Sequence, residues 1–175
     1  VSWYRSPYTL RAIALLLQAE VKTNIHYVVS DSTIEEAVTH LKERSFPSGI
    51  NAIVFLLHKP VGLGSQEQVL SYNDPRVKEF LELACGGDHE YKIGFDSCTV
   101  PGLVSQSIEV NLDSIDTCEG ARWSAYISPD MVMLPCSFDN QARRWAVDLA
   151  DPYHSGGMGQ SGFRGFPEPP PPKLP

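Results

Sequence analysis

Along the first hundred residues the spacing of apolar positions switches repeatedly between a helical and an extended rhythm. From Ser6-Pro7 to about Ala19, Leu10, Ile13, Ala14 and Leu17 recur at helical spacing, with Ser6 as N-cap and Pro7 as the first helical residue. Val21–Ser30 (VKTNIHYVVS) is rich in β-branched and aromatic residues and predicts a buried strand that stops at Asp31-Ser32. Within it Asn24, His26 and Val28 share a face, because side chains alternate with period two. Ser32-Thr33-Ile34-Glu35 reads as a capping box opening a helix to about Arg44, with Ile34, Val38 and Leu41 on one side. After a loop at Phe46–Gly49, Ile50–Pro60 is almost continuously apolar, the pattern of a parallel strand covered on both faces. Val61–Ser71 is polar and glycine-rich, a long loop. Asp74-Pro75 opens a third helix, with Val77, Phe80, Leu81 and Ala84 inward and Gly86-Gly87 as its stop. Tyr91–Asp96 predicts the third strand.

This α-β-α-β-α-β order implies parallel strands joined by right-handed crossovers. Three strands cannot close a barrel. The expected fold is α/β, a partial (half) TIM-type barrel with crossover helices. An open half-barrel leaves an unpaired edge, which predicts self-association through exposed sheet edges. The open edge and the abrupt start at Val1 together lead us to expect a fragment lacking an N-terminal part.

After Cys98 the pattern changes. Thr99–Asp116 reads as loop, with one alternating piece at Ser107–Leu112. Arg122–Ser128 and Val132–Leu134 predict two short strands joined by the turn Ser128-Pro129-Asp130-Met131, and Arg143–Asp148 a last strand. This makes a small β-hairpin extension containing cysteines. From Asp151 the chain is rich in Gly, Ser and Pro and ends PEPPPPKLP, predicting disorder or polyproline II, with a PxxP ligand as the sharper alternative. The expected divisions are 1–98, 99–150 and 151–175.

Composition narrows the function classes. The 175 residues carry a net charge of −7, with 14 Lys and Arg against 21 Asp and Glu, so no general affinity for nucleic-acid backbone is expected. No apolar run reaches the roughly 20 residues that span a bilayer, and no secretory signal pattern is present. Four cysteines in a chain of this size do not make a disulfide scaffold, which predicts a reducing, cytoplasmic setting.

Three of those cysteines, Cys98, Cys118 and Cys136, fall at the edges of predicted elements. That placement suits a metal or cluster held between elements, although zinc sites usually draw on close cysteine pairs. Cys85, on the third helix, reads as core packing or as a fourth ligand.

The run GFDSC followed by CEGARWSAYISPDMVMLPCSFD resembles the C-terminal region of radical S-adenosylmethionine (SAM) enzymes with a SPASM- or twitch-type extension. The resemblance implies that a hairpin between two cysteines, here Cys118 and Cys136, wraps an auxiliary [4Fe–4S] cluster, with Cys98 as a further ligand. Met131 stands where the family places a turn glycine, with four residues between it and Cys136. The preceding units resemble strands four to six of the family's partial (β/α)6 barrel. The further CxxCxxxxxCxxxC group of a full SPASM region is absent, as is the CxxxCxxC loop that holds the SAM-cleaving cluster. The resemblance therefore implies a piece that binds an auxiliary cluster and contributes to a SAM and substrate cavity, without catalysing SAM cleavage alone. A peptide or protein is the substrate class common among such relatives.

Ligands in parallel α/β sheets sit at the carboxyl ends of the strands. There the sequence places Asn24, His26 and Ser30 on the first strand, His58 and Lys59 on the second, and Asp96 and Ser97 on the third. Asn24 and His26 are candidates for contacting SAM, or else hydrogen-bonded core residues. Lys59 and Asp96 are candidates for binding substrate, or else a solvated loop lysine and a turn cap. The competing reading of the chain is a noncatalytic α/β binding module whose cysteines hold structural zinc.

Overall fold

A computed structural model describes residues 1–4, 6–109, 118–138 and 147–148. It divides into two compact units, Val1–Cys118 and Glu119–Pro175. The first is a mixed α/β unit in the order α1 (Pro7–Gln18), β1 (Asn24–Val29), α2 (Ile34–Glu43), β2 (Ala52–Leu57), α3 (Pro75–Gly86), β3 (Lys92–Phe95) and α4 (Val100–Ser105). The three strands form a parallel sheet in sequence order, β1-β2-β3, flanked by helices. Asn24, Ile25, His26 and Tyr27 lie opposite Ala52, Ile53, Val54 and Phe55, and Ala52–Phe55 opposite Lys92–Phe95. Among the described residues the sheet does not close on itself.

One core serves α1, α2, α3 and α4. Ile13 of α1, Ile34, Ala37, Val38 and Leu41 of α2, Val77, Phe80, Leu81 and Ala84 of α3 and Leu103 of α4 are buried in a single cluster. Ile25, Tyr27 and Val29 of β1, Ile53 and Phe55 of β2, and Phe46 and Ile50 from the connection before β2 complete it. Phe55 and Phe80 meet edge to face with centroids 4.9 Å apart, the arrangement their ring quadrupoles favour. Each such side chain removed from water contributes about 1.5–3 kcal/mol. The Tyr27 hydroxyl, carried into this interior, donates to the Thr33 carbonyl at 3.0 Å.

The opposite face of the sheet differs. Asn24, His26 and Val28 are exposed, alternating strictly with the buried positions of β1. Val54 and Leu56 of β2 are only half-buried. The apolar run of β2 suggests cover on both faces, but the helices pack on one. That follows from the strand order: successive right-handed crossovers in one direction return every helix to the same side.

Other local expectations shift for identifiable reasons. Ser6 caps α1, its Oγ accepting from the Tyr8 amide at 3.2 Å. The buried face of α1 is Thr9 and Ile13, whereas Leu10 is 53% exposed. The capping box at Ser32 does not form. The N-cap is Thr33, whose hydroxyl donates to the Val28 carbonyl at 2.8 Å and accepts from the Ser30 amide at 2.9 Å, holding the end of β1 instead. Thr99–Gln106, read as loop, contains α4, with Pro101 in its first turn where no amide donor is needed. The outer edge of β1 is partly occupied by the chain's own first residues. His26 donates to the Val1 carbonyl at 2.8 Å and accepts from the Trp3 amide at 2.7 Å, a parallel bridge centred on Ser2.

The second unit contains an antiparallel sheet of β4 (Tyr126–Ile127), β5 (Val132–Leu134) and β6 (Val147–Asp148), in that order. The predicted strand at Arg122–Ser128 is shortened to two residues, because Glu119–Ser124 closes a turn in which three amides share the Glu119 carbonyl. The alternating piece beyond Glu109, most of the strand predicted from Arg143, and the Gly/Pro-rich segment 151–175 lie outside the described residues. Among the described residues no helix is long and apolar enough to cross a membrane.

Candidate functional site

The carboxyl end of the parallel sheet gathers two of the residues singled out from the sequence. Lys59 follows β2 and Asp96 follows β3, and the Lys59 ammonium is ion-paired with Asp96 Oδ2, both side chains less than one-fifth exposed. Lys59 Nζ also donates to the Leu57 carbonyl at 3.2 Å. The other carboxylate oxygen of Asp96 accepts from the buried Thr99 hydroxyl at 2.5 Å. Asp96 therefore both binds Lys59 and starts the turn into α4, where the Thr99 amide bonds back to the Asp96 carbonyl at 2.9 Å.

Tyr72 joins this group, although no local pattern marks it in the sequence. It lies in the long β2–α3 connection, and its hydroxyl donates to the Cys98 carbonyl at 2.8 Å. Burial, then the Asp96 carboxylate, then negative charge on the Cys98 sulfur hold its phenol above the ordinary tyrosine range, since each penalises the phenolate. The Tyr72 carbonyl accepts from Gln106 Nε2 of the segment after α4. The ring lies directly against Gly102, where an added Cβ would fall 2.5 Å from Tyr72 Cδ1. This approach is why a glycine occupies a helical position with an ordinary backbone. The same connection reaches the end of β1, where Gln68 accepts from the Asp31 amide at 3.1 Å and the Ser32 amide at 3.3 Å. His58 accompanies it, its Nε2 3.0 Å from the Ser65 carbonyl oxygen.

Asn24 and His26 occupy the open face of β1, nearer the sheet's amino end than Lys59 and Asp96. The Asn24 side-chain oxygen accepts from Asn51 Nδ2 at 2.6 Å, and its backbone carbonyl accepts from the Val1 ammonium at 2.8 Å. His26 is held through its backbone by Val1 and Trp3, leaving its imidazole on the exposed face.

None of the four cysteines is in a disulfide. Cys98 sits in the turn between β3 and α4, half-buried; Cys118 ends the first unit, exposed; Cys136 follows β5 in the second. Cys85 is half-buried on α3, and burial raises its thiol pKa, the behaviour of a packed cysteine. Among the described residues no three His, Cys, Asp or Glu side chains gather as a metal site. The donor chemistry of the thiols nonetheless suits a soft metal or an iron–sulfur cluster. At Cys136 the sulfur accepts the Phe138 amide at 3.3 Å, a bond that stabilises negative charge on sulfur.

The hairpin leading to Cys136 is built around Ser128. The Met131 amide bonds to the Ser128 carbonyl at 2.9 Å and the Ser128 amide to the Val132 carbonyl at 2.9 Å. Ser128 Oγ further accepts from the Val132 amide at 3.1 Å. Met131 closes the turn at φ 62°. A four-residue turn followed by a left-handed residue is a common three-residue hairpin connection, and the left-handed position is the one glycine favours.

A separate cavity of about 300 Å³ is lined by Trp3, Tyr4, Tyr27, Val28, Ser32, Thr33 and Glu36, beside the outer edge of β1. It contains none of the candidate residues read from the sequence. Compared with known proteins, the chain matches no family model, no curated protein and no solved structure.

Proposed function

We propose that this chain supplies the C-terminal elements of a radical SAM-type partial barrel, together with the hairpin that holds its auxiliary [4Fe–4S] cluster. The observation that carries the reading is the hairpin before Cys136. Met131 adopts the left-handed conformation at the position where the resembled family places glycine, and the sulfur at the hairpin's end accepts an amide hydrogen bond. The partial barrel is supported by the sequence-ordered parallel sheet with its helices on one side and Asn24 and His26 on the other.

In this reading Cys98, Cys118 and Cys136 are the protein ligands of the cluster, which would supply electron transfer or a site for substrate coordination. Asn24 and His26 face the cavity that holds SAM. Lys59 and Asp96 face substrate at the carboxyl ends of β2 and β3, with a peptide as the substrate class. The chain lacks CxxxCxxC, so reductive cleavage of SAM is assigned to a segment bearing that motif.

Anaerobic reconstitution with iron and sulfide tests this. The expected product is a brown protein containing iron and inorganic sulfide, both lost on replacing Cys98, Cys118 or Cys136 by Ser. A colourless protein with stoichiometric zinc would favour the structural-zinc module. Uptake of neither metal would refute both.

A further inference from the structure

We infer that Tyr72 is a positioning residue that fixes the orientation of Cys98, through a hydroxyl bond to the Cys98 carbonyl. The inference rests on the reading of Cys98 as a ligand only for its purpose; the geometry stands by itself. Cys98 lies between the last residue of β3 and the first of α4, where no strand ladder holds the backbone. The peptide plane following its Cα is held by Tyr72 from outside the turn, at 2.8 Å. That plane and the Cα–Cβ bond share one tetrahedral carbon, so fixing the carbonyl restricts where the thiol points.

Tyr72 is itself held at two points. Its carbonyl accepts from Gln106, beyond α4, and its ring rests on the bare Cα of Gly102, within α4. Tyr72 thus spans the turn from its carboxyl side. From the amino side, Lys59 pairs with Asp96, and Asp96 holds Thr99. Lys59 and Tyr72 lie near opposite ends of the β2–α3 connection, so one segment holds the Cys98 turn on both flanks. Such preorganisation would present the thiol in one direction before any ligand arrives.

Tyr72→Phe in the full chain isolates the hydroxyl, because the ring that meets Gly102 is kept. Alkylation by iodoacetamide, followed at each cysteine by peptide mass spectrometry, reads the effect without any cluster. Loss of one neutral hydrogen bond should raise the Cys98 rate roughly three- to tenfold. Cys85 on α3 and Cys136 in the second unit should keep their wild-type rates. An unchanged Cys98 rate, or a parallel rise at Cys85 and Cys136, would overturn the inference. In reconstituted protein the variant should also show a shifted EPR signature; wild-type spectra with iron bound would count against it. If wild-type chain takes up no iron while Cys98 alone becomes more reactive in Tyr72→Phe, the ligand reading fails and the positioning inference stands.

Discussion

Replacing Gly102 by Ala should destabilise the first unit, even though alanine is the better helix former. At an exposed helix interior the change would stabilise by about 1 kcal/mol. Here the new Cβ would fall 2.5 Å from Tyr72 Cδ1, whereas ordinary contact begins at 3.4 Å. The ring must retreat by about 1 Å, and overpacking of this kind costs roughly 1–3 kcal/mol. Retreat also lengthens the bond from the Tyr72 hydroxyl to the Cys98 carbonyl, worth a further ~1 kcal/mol. The net expectation is a loss of about 1–3 kcal/mol, read as a lower urea midpoint at an unchanged slope. The decisive comparison is made in a Tyr72→Ala background. There the ring is gone, and Gly102→Ala should become stabilising by about 0.5–1 kcal/mol, restoring the propensity effect. A stabilising Gly102→Ala in the wild-type background, or the same effect in both, would refute the packing argument.

Three further outcomes follow from other parts of the chain. Met131→Gly should stabilise the hairpin by roughly 0.5–1 kcal/mol, the left-handed penalty less the entropy glycine adds to the unfolded chain; slower hydrogen exchange at the Val132 and Ser128 amides would show it, and faster exchange would contradict it. Lys59→Met should cost about 1–2 kcal/mol, between the exposed and fully buried limits for an ion pair, with Lys59→Met/Asp96→Leu recovering part of it; a double variant no more stable than Lys59→Met would argue against an uncompensated Asp96 charge. Asp74 caps α3 through the Arg76 amide at 2.9 Å, and hydrogen bonds from Arg76 hold its carboxyl below the ordinary range. Its contribution is complete above the ordinary carboxylate pKa and is lost as pH falls through the depressed value. Asp74→Ala should therefore cost about 1 kcal/mol at neutral pH, and the difference from wild type should shrink in acid; a pH-independent difference would contradict the assignment.

The parts of the fold that could be read in the sequence are those where one periodicity had no rival. β1 alternates strictly, so the shared face of Asn24, His26 and Val28 was evident, and α3 shows one apolar stripe between Asp74 and Gly86. α1 is apolar on most sides, so its pattern found the buried Ile13 but added Leu10 and Ala14, which are exposed, and passed over the buried Thr9. In β2 the apolar Val54 and Leu56 concealed a face that is only half-buried among the described residues. At Ser32-Thr33 two hydroxyls competed for one cap, and the one able to hold the end of β1 took it. Pro101-Gly102 suggests a loop, yet proline suits a first helical turn and the glycine makes room for a ring 30 residues earlier. Lys59 and Asp96 were legible as candidates because both follow strands. Their pairing, and the part played by Tyr72, depend on a loop path that local patterns do not encode.

Iron K-edge X-ray absorption on the anaerobically reconstituted chain tests the proposed cluster most directly. The account predicts sulfur in the first shell and an iron–iron scattering path, both lost when Cys98, Cys118 and Cys136 are replaced together by Ser. Iron surrounded by oxygen and nitrogen, or an iron–iron path that survives the triple replacement, would contradict it.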